Sequence, residues 1–106
     1  MTTYTDKNGK NVKLGDILKY DEGNSNRYGK ALHEVVEHKN QLCGVHRVGY
    51  PFWSLDMNHH PMKLIAYCAK PYTIMIDVEI IGNIAKTPEL LTPESAKTIF
   101  PEVELE

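Results

Sequence analysis

Tyr72-Thr73-Ile74-Met75-Ile76-Asp77-Val78-Glu79-Ile80 is the stretch that decides the fold. On an extended backbone, Ile74, Ile76, Val78 and Ile80 share one side, and Thr73, Met75, Asp77 and Glu79 share the other. A period of two over so long a run predicts a strand that covers a core with one face. Ile81-Gly82-Asn83-Ile84 then bends or ends it.

Downstream, Thr92-Pro93-Glu94 opens a helix. Thr92 caps the first turn, Pro93 suits the first helical position, and Glu94 suits the positive end of the helix dipole. The helix is predicted over 92–100, because Pro101 stops it, and an acidic tail follows over 101–106. Ala96, Ile99 and Phe100 give the helix a small apolar stripe to dock on its own sheet or on a neighbour.

Upstream, Asp6-Lys7-Asn8-Gly9-Lys10 is a turn signal, since Asn and Gly tolerate the positive φ of tight hairpins. Thr3–Thr5 and Asn11–Lys13 are its predicted arms. Leu14-Gly15-Asp16 re-aims the chain into a short strand, Ile17-Leu18-Lys19-Tyr20. Residues 21–28 read as loop. Residues 29–37 admit two readings: Leu32, Val35 and Val36 fit a helical stripe, and the same segment fits one arm of a hairpin. The strand is favoured, because His38-Lys39-Asn40-Gln41 reads as a turn and Leu42–Val48 as its return arm. Tyr50-Pro51-Phe52-Trp53 reads as an edge or irregular piece, since Pro51 lacks the N–H a ladder needs. Residues 56–61 read as loop, and 62–69 as a buried strand or one helical turn.

The length of 106 residues suits one domain, so residues 1–106 are expected to fold as a unit. With 42% apolar and 25% charged residues the chain is of globular composition. The net charge of −2 supplies no global basic field for nucleic acid or an anionic membrane. Residues 1–85 carry ten basic and nine acidic side chains, so the body is near neutral and the tail acidic. Cys43 and Cys68 are too few for a disulfide framework. Residues 1–6 lack the basic and apolar regions of a signal peptide, and no apolar run approaches the roughly 20 residues of a membrane span. The expectation is a cytoplasmic protein of the host cell, without a membrane.

Two segments resemble a known family. Thr5-Asp6-Lys7-Asn8-Gly9-Lys10-Asn11-Val12-Lys13-Leu14-Gly15-Asp16-Ile17-Leu18 and Val78-Glu79-Ile80-Ile81-Gly82-Asn83-Ile84-Ala85-Lys86-Thr87-Pro88-Glu89-Leu90-Leu91 together look like the opening and closing motifs of the YopX-like family of small phage and prophage proteins. The resemblance implies a β-barrel-like fold, a phage or prophage origin and a host-cytoplasmic location. It implies no activity. The expected fold is therefore mostly β: a small closed or partly open β-barrel of about five to seven short strands with one short C-terminal α-helix.

The motifs also make physical sense as turns. Gly9 serves the hairpin. Gly15 supplies a backbone turn that a Cβ would hinder, and Asp16 accepts nearby backbone N–H groups. Gly82 permits an exit from the long strand, and Asn83 satisfies freed backbone groups. Together they predict that the first and last strands pair and close the barrel.

Candidate chemistry is sparse. His38, Cys43 and His46, with His59, His60 and Cys68 as completing ligands, are the metal candidates. No C-x-x-C anchors them, and on a strand Cys43 and His46 point to opposite faces, so no metal or other cofactor is expected. Ser25, Ser54 and Ser95 sit in no nucleophile elbow, no glycine pattern cradles phosphate, and Asp21-Glu22 reads as solvated loop. No catalytic residue and no enzyme is expected. Arg47, Tyr50, Phe52 and Trp53, with Lys63 nearby, are the candidate ligand-binding residues: aromatics beside a cation can stack single-stranded bases. Lys7, Lys10, Lys13 and Lys19 would add a basic edge. Against this, so small a domain needs its large aromatics for a core. The expectation is thus an accessory protein that binds a protein partner, with a homo-oligomer as one way to cover sheet edges. Single-stranded nucleic-acid binding is second, and an enzyme or zinc module third.

Overall fold

The computed structural model describes residues 4–21, 30–49, 54–55, 62–63 and 78–101, with only the backbone described at 54–55 and 62–63. The described strands are β1 (Asp16–Asp21), β2 (Lys30–His38), β3 (Gln41–Gly49), β4 (Ser54–Leu55), β5 (Met62–Lys63) and β6 (Val78–Asn83). They form one antiparallel sheet in the order β4-β3-β2-β1-β6, with β5 also on β3. A 3-10 turn (Pro88–Leu90) and helix α1 (Pro93–Ile99) follow.

The open choice at residues 29–37 resolves as strand from Lys30 onward, with Gly29 outside the described residues. The turn that decides it is Lys39-Asn40, where φ is 52° and 61°. Positive φ at both central residues is the geometry of a two-residue hairpin whose twist matches its strands. It fixes the register from His38↔Gln41 to His33↔His46, beyond which a bulge shifts the pairing by one to Leu32↔Val48 and Ala31↔Gly49.

The first and last strands pair. β1 runs against β6 from Asp16↔Asn83 to Tyr20↔Val78. Among the described residues, however, the sheet is open. β1 lies inside it, between β2 and β6, and β6 is the end strand on that side. Its outer edge meets the N-terminal hairpin: the Lys7 N–H donates to the Val78 carbonyl at 2.9 Å, and the Ile80 N–H donates to Asp6 Oδ2 at 2.9 Å. A hairpin laid there blunts an edge that would otherwise template pairing. The hairpin is held by the Thr5↔Asn11 bridge and by Val12 N–H donating to the Tyr4 carbonyl. The deciding alternation of residues 72–80 is described from Val78 onward, and 72–77 lie outside the described residues.

Both faces of the sheet are packed. Ile17, Leu32 and Val48 bury one face against Leu91, Ala96 and Phe100. That is where α1 docks, with the Thr92 hydroxyl accepting the Ser95 N–H at its N-cap. Val12 of the hairpin packs on the opposite face with Leu18, Val35 and Val78. A small chain thus gains two apolar layers from one sheet. Among the described residues, no helix is long and apolar enough to cross a membrane.

Candidate functional site

The start of β1 and the end of β6 meet at one junction. Gly15 has φ 86°, a conformation that L side chains rarely adopt. Its carbonyl accepts the Ile84 N–H at 2.8 Å. The Asn83 amide donates to Asp16 Oδ1 at 3.0 Å and to the Leu14 carbonyl at 3.3 Å, while its own oxygen accepts the Ala85 N–H. Asp16 Oδ2 accepts the Lys13 N–H at 2.7 Å. The junction is therefore locked from both strands. At Gly82 the reason for glycine is close approach: a Cβ would overlap the Thr87 hydroxyl and lie 2.6 Å from Leu90 Cδ1.

Asp6 was read from sequence only as part of a turn, yet it is fully buried. Its carboxylate accepts the N–H groups of Asn8, Lys10 and Ile80, each at 2.9 Å. Burial alone would raise its pKa. The three hydrogen bonds, led by that from Ile80, and the charge of Lys10 outweigh burial and hold the group below the usual carboxylate range.

The junction also carries the exposed apolar surface. Leu14 is 58% exposed and Ile84 38%, and among the described residues they are the exposed large hydrophobics. Ile84 bonds the residue that follows Leu14, so the backbones of the two are adjacent rather than scattered. Beside them an open hollow of about 400 Å³ is lined by Lys10, Asn11, Lys13, Asp16 and Ile80. Lys10 and Lys13 are exposed, and among the described residues neither enters an ion pair.

The residues expected to stack bases fare differently. Tyr50, Phe52 and Trp53 lie outside the described residues, as does the side chain of Lys63. Arg47 is the extra residue of a bulge, between the pairs Leu32↔Val48 and His33↔His46. Its guanidinium holds Glu34 through Nε and a terminal nitrogen, both at 3.0 Å. Lys7 lies 3.8 Å from Glu79, and Lys19 is over the Phe100 ring on the helix side. The lysines of the supposed basic edge are thus divided: Lys10 and Lys13 line the hollow and Lys19 is turned to the helix.

The described metal candidates, His38, Cys43 and His46, do not converge. Cys43 pairs with Val36 and His46 with His33 along an unbroken stretch of ladder, so they sit on opposite faces. Cys43 is buried with its thiol directed to the Gln41 carbonyl, and His38 is exposed at the hairpin end. His59, His60 and Cys68 lie outside the described residues, as do Ser25 and Glu22, while Ser54 is described by backbone alone. Ser95 N–H is spent on the helix cap. Asp21, read as solvated loop, ends β1 and takes a hydrogen bond from Lys30 Nζ at 2.7 Å. Lys30 is 1% exposed, and its ammonium lies 5.9 Å from the Phe100 centroid.

A ring row also crosses the sheet. Tyr20 stacks on His33 at 5.5 Å, and His33 meets His46 edge-on at 5.3 Å. Gly49 belongs to this packing, since a Cβ there would overlap the His46 ring.

An antiparallel sheet with a hairpin on one face, a helix on the other and its first and last strands paired defines a small mostly β protein. The family model described as YopX protein matches residues 1–92, and the chain belongs to that family. The match takes in the two end segments and the stretch between them. No curated protein and no solved structure matches the chain.

Proposed function

We propose that this chain is a non-catalytic accessory protein of a phage or prophage, that it works in the host cytoplasm, and that it acts by holding a protein partner. The observation that carries the reading is the adjacency of Leu14 and Ile84 at the junction of β1 and β6. Single exposed apolar residues are ordinary, whereas apolar side chains gathered at a rigid point favour a protein contact. The reading without catalysis is supported by how four of the described carboxylates are used. Asp6 and Asp16 serve backbone N–H groups, Glu34 serves Arg47, and Asp21 serves Lys30. Family membership supports the phage origin. Barrel closure belongs to the same proposal: the β1–β6 pairing supports it, and the hairpin over the outer edge of β6 limits where it would run.

The test is affinity capture from host cells with the wild type and with the Leu14→Ser, Ile84→Ser double variant, followed by re-binding of the purified partner. Mass measured over a concentration series tests whether a second copy is that partner. A partner that re-binds the wild type and loses the variant supports the reading. Equal capture by both proteins would overturn it.

A second reading, single-stranded nucleic acid, is favoured by the ion-pair-free Lys10 and Lys13. The engagement of Arg47 by Glu34 weighs against it. Binding to an oligothymidylate that falls steeply with salt would favour it over the first.

A further inference from the structure

The segments that line the hollow also carry the apolar pair. Leu14 lies in sequence between Lys13 and Asp16, both of which line the hollow. The Leu14 carbonyl and Asp16 carboxylate are tied to the same Asn83 amide, and Ile84 follows Asn83 directly. Ile80 contributes apolar surface within the hollow, and Asn11 an amide beside it. The acidic member, Asp16, has both oxygens engaged, by Asn83 and by the Lys13 N–H. Asp16 is buried, whereas Lys10 and Lys13 are exposed, so the lysines are the charged groups of the lining that a visitor can reach. On the other side of Ile84, Lys86 is exposed as well.

We infer that this surface takes an extended acidic peptide segment of a partner protein, one in which carboxylates alternate with bulky apolar side chains. The inference rests on the protein-binding reading above and names its ligand class. An extended chain repeats its side chains on one face about every 7 Å. Apolar side chains of such a segment cover Leu14, Ile84 and Ile80, and its carboxylates meet Lys10 and Lys13 across the hollow. A neutral apolar segment would offer the two exposed ammonium groups no charge beyond that of Asp6, which already interacts with Lys10. A basic segment would be repelled by them. Complementary rim charge sets partner choice and association rate more than raw affinity.

The test is a displayed library of random 12-residue peptides selected on the purified full chain. Binding of the enriched peptides is then measured against wild type, Lys10→Gln/Lys13→Gln and Leu14→Ser/Ile84→Ser proteins, each first shown to keep the wild-type melting temperature. The expected winners are acidic with interleaved apolar residues. They lose about tenfold in affinity on the lysine variant and weaken with salt. They are also lost on the apolar variant. Winners that are neutral or basic, or that bind the lysine variant as well as wild type, would overturn the acidic inference. If those winners still fail on Leu14→Ser/Ile84→Ser, the protein-binding reading survives. Absence of any winner sensitive to either variant overturns both. A parallel titration with a 20-residue oligothymidylate completes the test. Oligonucleotide binding that needs the two lysines, without acidic winners, assigns the lysines to nucleic acid and overturns the inference. A dimer of the chain that excludes the peptides would likewise overturn it.

Discussion

Asp6 and Ile80 stand 74 residues apart in sequence, and the carboxylate of the first accepts the backbone N–H of the second at 2.9 Å. That bond seats the N-terminal hairpin on the outer edge of the last strand. The same carboxylate closes the hairpin turn through Asn8 and Lys10. One buried side chain thus shapes a local turn and fixes its long-range position.

Asp6→Ala leaves three N–H groups without their acceptor. A buried unsatisfied donor costs about 1–3 kcal/mol, so a total loss of about 3 kcal/mol or more is expected by urea unfolding at neutral pH. Asp6→Asn keeps the shape and removes the charge, and it should lie between the two. The pH dependence has a definite sign. The pKa of Asp6 is lowered on folding, so its contribution is fully present above the unfolded carboxylate value, about 3.9, and is lost as pH falls through the lower folded value. The stability gap between wild type and Asp6→Asn should therefore be flat down to about pH 4 and narrow below it. A gap that widens on acidification would contradict this assignment.

At the junction, Asn83→Ala removes a donor to Asp16 and Leu14 and an acceptor for Ala85. A cost of about 2 kcal/mol is expected. In a double-mutant cycle with Asp16→Ala the two losses should not add, and the coupling should reach about 1 kcal/mol. Additive losses would mean that the two motifs are stabilised independently.

Two glycines separate backbone strain from crowding. At Gly9, φ is 83° and nothing lies within reach of an added Cβ, so Gly9→Ala should cost only the left-handed penalty, about 1–2 kcal/mol. At Gly82 the Thr87 hydroxyl and Leu90 stand in the way, and Gly82→Ala must displace the 3-10 turn. Overpacking of this kind costs about 1–3 kcal/mol. Near-ultraviolet circular dichroism and thermal unfolding should show Gly82→Ala altering packing at the turn and Gly9→Ala leaving it unchanged.

Much of this architecture was legible in the sequence, and the reasons differ by element. The hairpin of β2 and β3 was readable because Lys39-Asn40 is a local turn whose chemistry sets the register. The start and stop of α1 were readable because Thr92, Pro93 and Pro101 act locally. The β1–β6 pairing followed from joining two end motifs. The closure predicted from the same motifs is not present among the described residues, because nothing in the motifs says what covers the outer edge of β6, and the N-terminal hairpin does so through the Asp6 carboxylate and the Lys7 N–H. The exposure of Leu14 and Ile84 was also hidden, since a leucine and an isoleucine beside strands read as core. Lys30 was hidden for the opposite reason: a lysine reads as surface until its partner Asp21 and the ring of Phe100 are in place.

The Lys30–Asp21 pair is unequal. Lys30 is 1% exposed and the Asp21 side chain 24%. Removing the carboxylate takes an ion-pair partner from an interior ammonium, whereas removing the ammonium takes one from a carboxylate that reaches water. Asp21→Asn should therefore destabilise more than Lys30→Met, with the latter within about 1 kcal/mol of wild type. Paired urea titrations check the order, and the reverse order would show that the ammonium itself anchors α1.

The junction of β1 and β6 is a structural lock, and we propose it as the binding surface too. The most direct test is two-dimensional amide NMR of the labelled chain titrated with an acidic peptide from the library selection. The account predicts that shift changes concentrate at residues 10–15 and 83–86. Changes concentrated instead around Arg47 and the Tyr20–His33–His46 row, with residues 10–15 and 83–86 unmoved, would contradict it.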